Sequence, residues 1–199
     1  MFLLDAFSTS FDHWKGLDIV FNNVGSVKET EQMSIINTNV VGILHGTLLG
    51  LKYMSKANGG NGGVIINTSG IYGIDPVFLS PANSATRNFV NTLGRTLGHP
   101  LYYSYNCVRI ITLCPGHTDT ELLSRAQIVN AISDALAPGL KDIAVQILES
   151  ILLQPVKSVA LAAMVILKNG PNGSVWVVED GQMPYEITFP NRKEMAKRS

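Results

Sequence analysis

Charge is scarce in this sequence: Lys+Arg and Asp+Glu each total 15 of 199 residues, so the formal net charge is zero and 15% of the side chains are charged. Such a chain has no basic excess with which to hold nucleic acid or an anionic membrane surface. Long apolar runs are missing too. The longest unbroken one, Val159 to Leu167, has nine residues, against about 20 for a bilayer-spanning helix, and it predicts no membrane span. The amino terminus, MFLLDAF, has no basic stretch and meets Asp5 before a signal-length apolar segment forms, which argues against secretion. There are only two cysteines. Cys107 and Cys114 lie seven apart in one apolar segment, where an odd separation on a strand sends them to opposite faces, so reduced thiols and a cytoplasmic setting are expected.

What is present is apolar: 46% hydrophobic residues over 199 positions suffice for one domain, residues 1–199, with a sizeable core. Residues 3 to 14 read as a helix, and Leu17 to Phe21 (LDIVF) as a strand of buried type, closed by the turn-forming NNVG. Apolar residues then recur at helical spacing from Glu31 to Lys56, NGGNGG (Asn58 to Gly63) stops that helix, and Val64 to Asn67 make a second strand. A second unit follows, with a helix from Pro81 to Leu97 and a β-branched strand from Cys107 to Leu113. Helical patterns over Thr120 to Ala137, Lys141 to Leu152 and Ser158 to Leu167 precede a last strand, Ser174 to Val178. Four strands alternating with helices imply a doubly wound, Rossmann-like parallel sheet in a three-layer α/β arrangement.

In such a sheet ligands bind beyond the carboxyl ends of the strands. The segments found there are Asn22-Asn23-Val24-Gly25, Thr68-Ser69-Gly70 and Pro115-Gly116-His117-Thr118-Asp119-Thr120. Together with Asn39, fourteen residues after Gly25, and the later NSATR, these resemble, in order and spacing, the motifs of the short-chain dehydrogenase/reductase family. LKYMSKANGGNGGVIIN and NGSVWVVEDG strengthen the likeness. The resemblance implies an NAD-dependent oxidoreductase acting on an alcohol group. It places Asn39 at the family's catalytic asparagine and Asn22, Asn23, Gly25, Pro115, Gly116, Thr118 and Thr120 against the cofactor.

The family's chemistry passes hydride to nicotinamide while a tyrosinate takes the alcohol proton, with lysine lowering the tyrosine pKa and serine holding the oxygen. With Gly73 as the anchor of the match, Gly70 stands at the serine, Asn83 at the tyrosine and Arg87 at the lysine. An amide does not titrate, and a guanidinium does not give up its proton in a relay. Ser69, one step from the serine position, is expected to point its hydroxyl elsewhere. Tyr72 reads as a loop aromatic and His117 as a solvated loop histidine. The histidines at 13, 45, 99 and 117 show no metal-ligand spacing, so no metal is expected.

The family's glycine-rich pyrophosphate turn follows its first strand and opens a helix. GGNGG instead follows a helix and precedes a strand. Against the family the chain is expected to lack the first βαβαβ portion, on the order of 80 residues at ~30 or more per unit, through either truncation or an incomplete gene model. NAD binding is then expected to be weak or lost, and the enzyme impaired or inactive. The alternatives are a non-catalytic binding or dimerisation module, or a fragment of a longer active dehydrogenase. The resemblance implies a homo-oligomer through helices 31–56 and 81–97, and the first strand is expected to present an open apolar edge. Thr120 to Leu152, mostly apolar, is expected to form a lid suited to a small alcohol or lipid-like substrate. The basic tail from Asn191 reads as a solvated end.

Overall fold

The computed structural model describes residues 2–124 and 139–196, with 129 and 132 between them. Five strands form one sheet in the order β1-β2-β3-β4-β5: β1 (Ile19–Asn22), β2 (Gly63–Thr68), β3 (Val108–Pro115), β4 (Val175–Val178) and β5 (Tyr185–Ile187). The first four are parallel, with Ile19 opposite Val64, Val64 opposite Arg109 and Thr112 opposite Val175. β5 is antiparallel to β4 and corrects the expectation of four strands. Its three residues, bounded by Pro184 and Pro190, are too few for a period-2 signal.

Alternation along the strands divides the core between two faces. On one, Val20, Ile65, Val108 and Ile110 pack with Met54 and the half-buried Phe7, Leu51 and Leu97. These come from α1 (Phe2–Trp14), α3 (Ile43–Met54) and α4 (Pro81–Leu97). On the other, Val64, Ile66, Ile111, Leu113 and Val178 pack with Ala162 and Ile166 of a helix at Val156–Asn169. Helices on both faces make the expected three layers. β1 does not read as a buried strand, however. It holds the sheet edge, Val20 is its one buried residue, and Ile19 and Phe21 are 50% and 44% exposed.

The helix expected over Glu31 to Lys56 is continuous in backbone but changes pitch. α2 (Gln32–Ile36) runs into a π-helical turn at Asn37–Gly42 and then into α3. By length and composition Gln32–Met54 would suffice to cross a membrane, although Asn37, Asn39, His45 and Thr47 break it into short apolar runs. Here Ile35, Asn39, Ile43, Thr47 and Met54 are buried. The approach of α3 to the sheet is close: a methyl on Gly46 would sit 2.2 Å from Asn22 Oδ1.

α5 (Pro100–Asn106) was not expected from the apolar pattern, and Cys107 ends it in left-handed geometry (φ 54°) rather than opening β3. Both cysteines are free. Of the helix expected over Thr120 to Ala137, the described part is a 3₁₀ turn at Glu121–Leu123, and most of the remainder lies outside the described residues. α6 (Leu140–Ser150) and α7 (Val156–Asn169) complete the order.

Candidate functional site

A cleft of about 280 Å³ opens beyond the carboxyl ends of β1, β2 and β3, where an open parallel sheet puts its ligands. It gathers residues from all three loops: Asn23 and Gly25; Thr68, Ser69, Gly70 and Tyr72; and Pro115, Gly116, His117, Thr118 and Thr120. Asn83 and Arg87 enter from α4, one helical turn apart and so on one face. Arg87 Nε donates to Asn83 Oδ1 at 3.3 Å and Arg87 Nη1 donates to the Thr68 carbonyl at 3.2 Å. Burial pulls the guanidinium pKa below its ordinary value, with a small opposing effect from Cys114.

Two of the expected site residues do not line the cleft. Asn39 is fully buried behind it: its Oδ1 accepts from the Ser26 amide at 2.8 Å, and its Nδ2 donates to the Ser26 carbonyl at 2.9 Å and to Thr86 Oγ1 at 3.0 Å. The π-helical turn that displaces the helix register carries this residue. Asn22 turns inward, donating to Asn67 Oδ1 at 2.8 Å and to Thr47 Oγ1 at 3.4 Å. Asn39 ties the loop after β1 to α4, and the half-buried Asn22 ties β1 to β2 and α3; a buried amide such as that of Asn39 needs such partners.

The nearby hydroxyl, phenol and imidazole groups bond within the protein. The Ser69 hydroxyl donates to the Arg87 carbonyl at 2.8 Å, pointing at α4's backbone as the register argument expects. Tyr72 and His117, read from sequence as unconnected loop residues, face each other with the hydroxyl oxygen 2.7 Å from Nε2. Burial raises the Tyr72 phenol above its ordinary 10.0, and burial lowers His117 below 6.5 against a weaker pull from Asp180 and Glu179. The two therefore meet as neutral groups near pH 7. A phenol with a raised pKa is the opposite of the tyrosinate a hydride-coupled proton transfer needs.

Two supporting residues gave no sequence signal. Glu29, 2% exposed, accepts from Ser80 Oγ at 3.1 Å and from the Ala82 and Asn83 amides at 3.1 and 2.7 Å. It caps α4 from more than fifty positions away, while Ser80 itself offers no side-chain cap. The acidic charge also suits the positive end of the helix. Gln154, equally buried, donates to Thr118 Oγ1 and to the Val178 carbonyl and accepts from the Gly181 amide, holding the 116–120 loop. Long-range caps of this kind leave no local spacing to read.

A second hollow, of about 80 Å³ and mostly apolar, adjoins the cleft through Val27, Tyr72, Asn83 and Leu123. Ile132, Ala144, Ile147 and Ile151 line it, so described parts of the expected lid segment cover this end. Among the described residues no three of His, Cys, Asp and Glu gather as a metal site.

The nicotinamide end of a dinucleotide fits what is here: a loop of Pro115, Gly116 and Thr118, a facing Asn23, and a guanidinium. The phosphates do not fit equally well. At α4, the long helix whose amino end adjoins the cleft, two of the first amides already bond Glu29.

The sequence model of the family described as short chain dehydrogenase matches residues 3–129. Mouse (Mus musculus) 15-hydroxyprostaglandin dehydrogenase (NAD(+)) is 38% identical over 121 residues, which are 61% of this chain and 45% of that protein. Alcohol dehydrogenase 2 of Ceratitis rosa is 34% identical over 108 residues, 54% of this chain and 42% of that one. Fat body protein 2 of Drosophila melanogaster is 24% identical over 172 residues, 86% of this chain and 64% of that one. The chain thus spans less than half the length of the first of these relatives. Among solved structures, an acetoin dehydrogenase from Salmonella typhimurium superposes with a TM-score of 0.64 at 16% identity, covering 89% of this chain and 69% of its own, a likeness of fold.

Proposed function

The chain belongs to the short-chain dehydrogenase family, and from that premise we propose that its cleft is the alcohol and nicotinamide site of an NAD-dependent oxidoreductase in which the proton relay has been replaced. The observation that supports this is the pair Asn83 and Arg87, bonded to each other at 3.3 Å on the cleft wall. They stand where the resemblance puts tyrosine and lysine. NAD, when bound, would supply the hydride acceptor. Asn83 can hold a substrate oxygen by its amide N–H but takes no proton from it. Arg87 keeps its charge at any working pH, and the Tyr72–His117 pair has its polar atoms turned to each other. The reading is therefore binding without turnover.

Absorbance at 340 nm with NAD and cyclohexanol tests it, between pH 7 and 10. No NADH formation is expected from the 199-residue chain. Turnover abolished by Tyr72→Phe or His117→Asn would assign the relay to that pair and overturn the proposal.

A specific observation favours an assembly role beside this one. Along Gln32–Met54, Met33 is 67% and Leu48 is 48% exposed, while α4 exposes no large apolar side chain among the described residues. We propose self-association through the 32–54 helix rather than through both helices, and light scattering of Leu48→Lys against the parent chain tests it.

A further inference from the structure

Arg87 has more donors than the protein uses. Its side chain lines the cleft yet the residue is only 7% exposed. Of its five N–H bonds, one goes to Asn83 and one to the Thr68 carbonyl. The other three have no protein acceptor among the described residues. Its Nη2 lies against the Gly25 backbone, where an added methyl would come within 2.3 Å. No carboxylate among the described residues pairs with it, and its titratable neighbour Cys114 is a neutral thiol near pH 7, pushed up to about 12 chiefly by burial. A buried cation without a partner is costly to fold around, and an anion in the cleft would relieve that cost.

The surroundings narrow the anion. Arg87 is the one Lys, Arg, Asp or Glu among the lining residues; uncharged polar groups such as Asn23, Asn83 and Thr118 stand near it, and Val27, Leu122, Leu123 and Val159 make the apolar part of the lining. The adjoining hollow continues this apolar lining past Asn83. One fixed charge at the head and a greasy recess beyond it match a ligand with one negative charge and an apolar body. A phosphate ester or a dinucleotide brings more charge than a single guanidinium answers. Carboxylates also meet the planar fork of an arginine with two parallel hydrogen bonds.

We propose that Arg87 anchors a binding site for a small aliphatic monocarboxylate, its head on the guanidinium and its chain toward Leu123 and the adjoining apolar hollow. This rests on the reading of the cleft as a site that binds without turnover, and it deepens that reading by naming the ligand class.

The test is calorimetric titration of the folded chain in low salt with hexanoate, 1-hexanol and inorganic phosphate. Hexanoate is expected to bind at least tenfold tighter than either alternative. Arg87→Lys, which keeps the charge without the planar fork, should keep hexanoate within about tenfold, and Arg87→Gln should lose at least tenfold, as a charge-assisted contact requires. Equal binding of hexanoate and hexanol, phosphate as the tightest ligand, undiminished binding by Arg87→Gln, or no hexanoate binding at all would each overturn the proposal. If Arg87→Gln does not fold, the hexanoate to hexanol ratio of the parent chain decides alone. NADH formation from cyclohexanol by the same preparation would sink the underlying reading while leaving that ratio to judge the carboxylate site.

Discussion

On the β1 side of the cleft, Asn22 and Asn39 commit their amides to strand, helix and loop partners at 2.8 to 3.4 Å. On the α4 side, three N–H bonds of Arg87 are open among the described residues, and Gly70 beside it leaves space, the nearest atoms to an added methyl being Pro115 O at 3.8 Å and Arg87 Cδ at 3.9 Å. The first wall is a hydrogen-bonded scaffold in which the buried Asn67 Nδ2 alone lacks a partner among these asparagines, and the second carries the open donors. The difference teaches that the groups holding the cleft's shape are separate from those the proposed reading assigns to the substituted proton relay. Scaffold asparagines answer to the cost of unpaired buried amides, which does not depend on turnover.

Breaking the scaffold side should therefore damage folding, and altering the other side should leave folding nearly intact. The largest effect is expected from Glu29→Ala, which removes three accepted hydrogen bonds and leaves two helix amides without their carboxylate. A loss of about 3 kcal/mol is expected from bonds to a buried charged group, read as a lower urea midpoint at unchanged slope. Asn39→Ala should follow with about 2 kcal/mol, because the Ser26 amide and Thr86 hydroxyl lose a buried partner. Gln154→Ala should cost about 1 to 2 kcal/mol and raise hydrogen exchange in the Gly116–Thr120 loop. Gly70→Ser should change stability by less than about 0.5 kcal/mol, since the site is open and the backbone there is extended (φ 170°). A loss as large as that of Asn39→Ala would erase the distinction between the walls.

A pH series sharpens the same contrast. Burial keeps His117 below its ordinary 6.5 in the folded chain, so the unfolded chain takes up more protons as the pH falls through that value. Stability is then unaffected above about pH 7 and declines below about 6.5, modestly because the ring is half exposed. His117→Asn should flatten that decline, and an unchanged slope would show that the imidazole is not desolvated as the cleft geometry implies.

Much of this was legible in the sequence. The strand-ending segments at 22–25, 68–70 and 115–120 are adjacent in the fold because parallel strands must place their carboxyl ends together, and alternation predicted both layers of helices. What escaped had physical causes. β5 is three residues long and carries no period. α5 follows from Pro100 at its first turn and from a histidine cap, where His99 Nδ1 accepts from the Leu101 amide, rather than from an apolar stripe. Glu29 and Gln154 act across fifty-one and thirty-six positions, which spacing arguments do not reach. Asn39 was found by its distance from Gly25, yet spacing places a residue along the chain and says nothing about which way its amide turns. The Tyr72–His117 contact joins two loops whose meeting depends on the sheet register.

The proposed reading is that the proton relay, rather than the shape of the cleft, has been lost. It is tested most directly in a chain that holds cofactor, made by fusing the glycine-rich amino-terminal strands of an active relative to residues 1–199. With NAD binding measured by fluorescence in both, cyclohexanol oxidation is compared between the fusion as it stands and the fusion carrying Gly70→Ser, Asn83→Tyr and Arg87→Lys. The account predicts NAD binding by both and NADH formation by the triple variant alone. Turnover by the unrepaired fusion, or a folded, NAD-binding triple variant that turns nothing over, would contradict it.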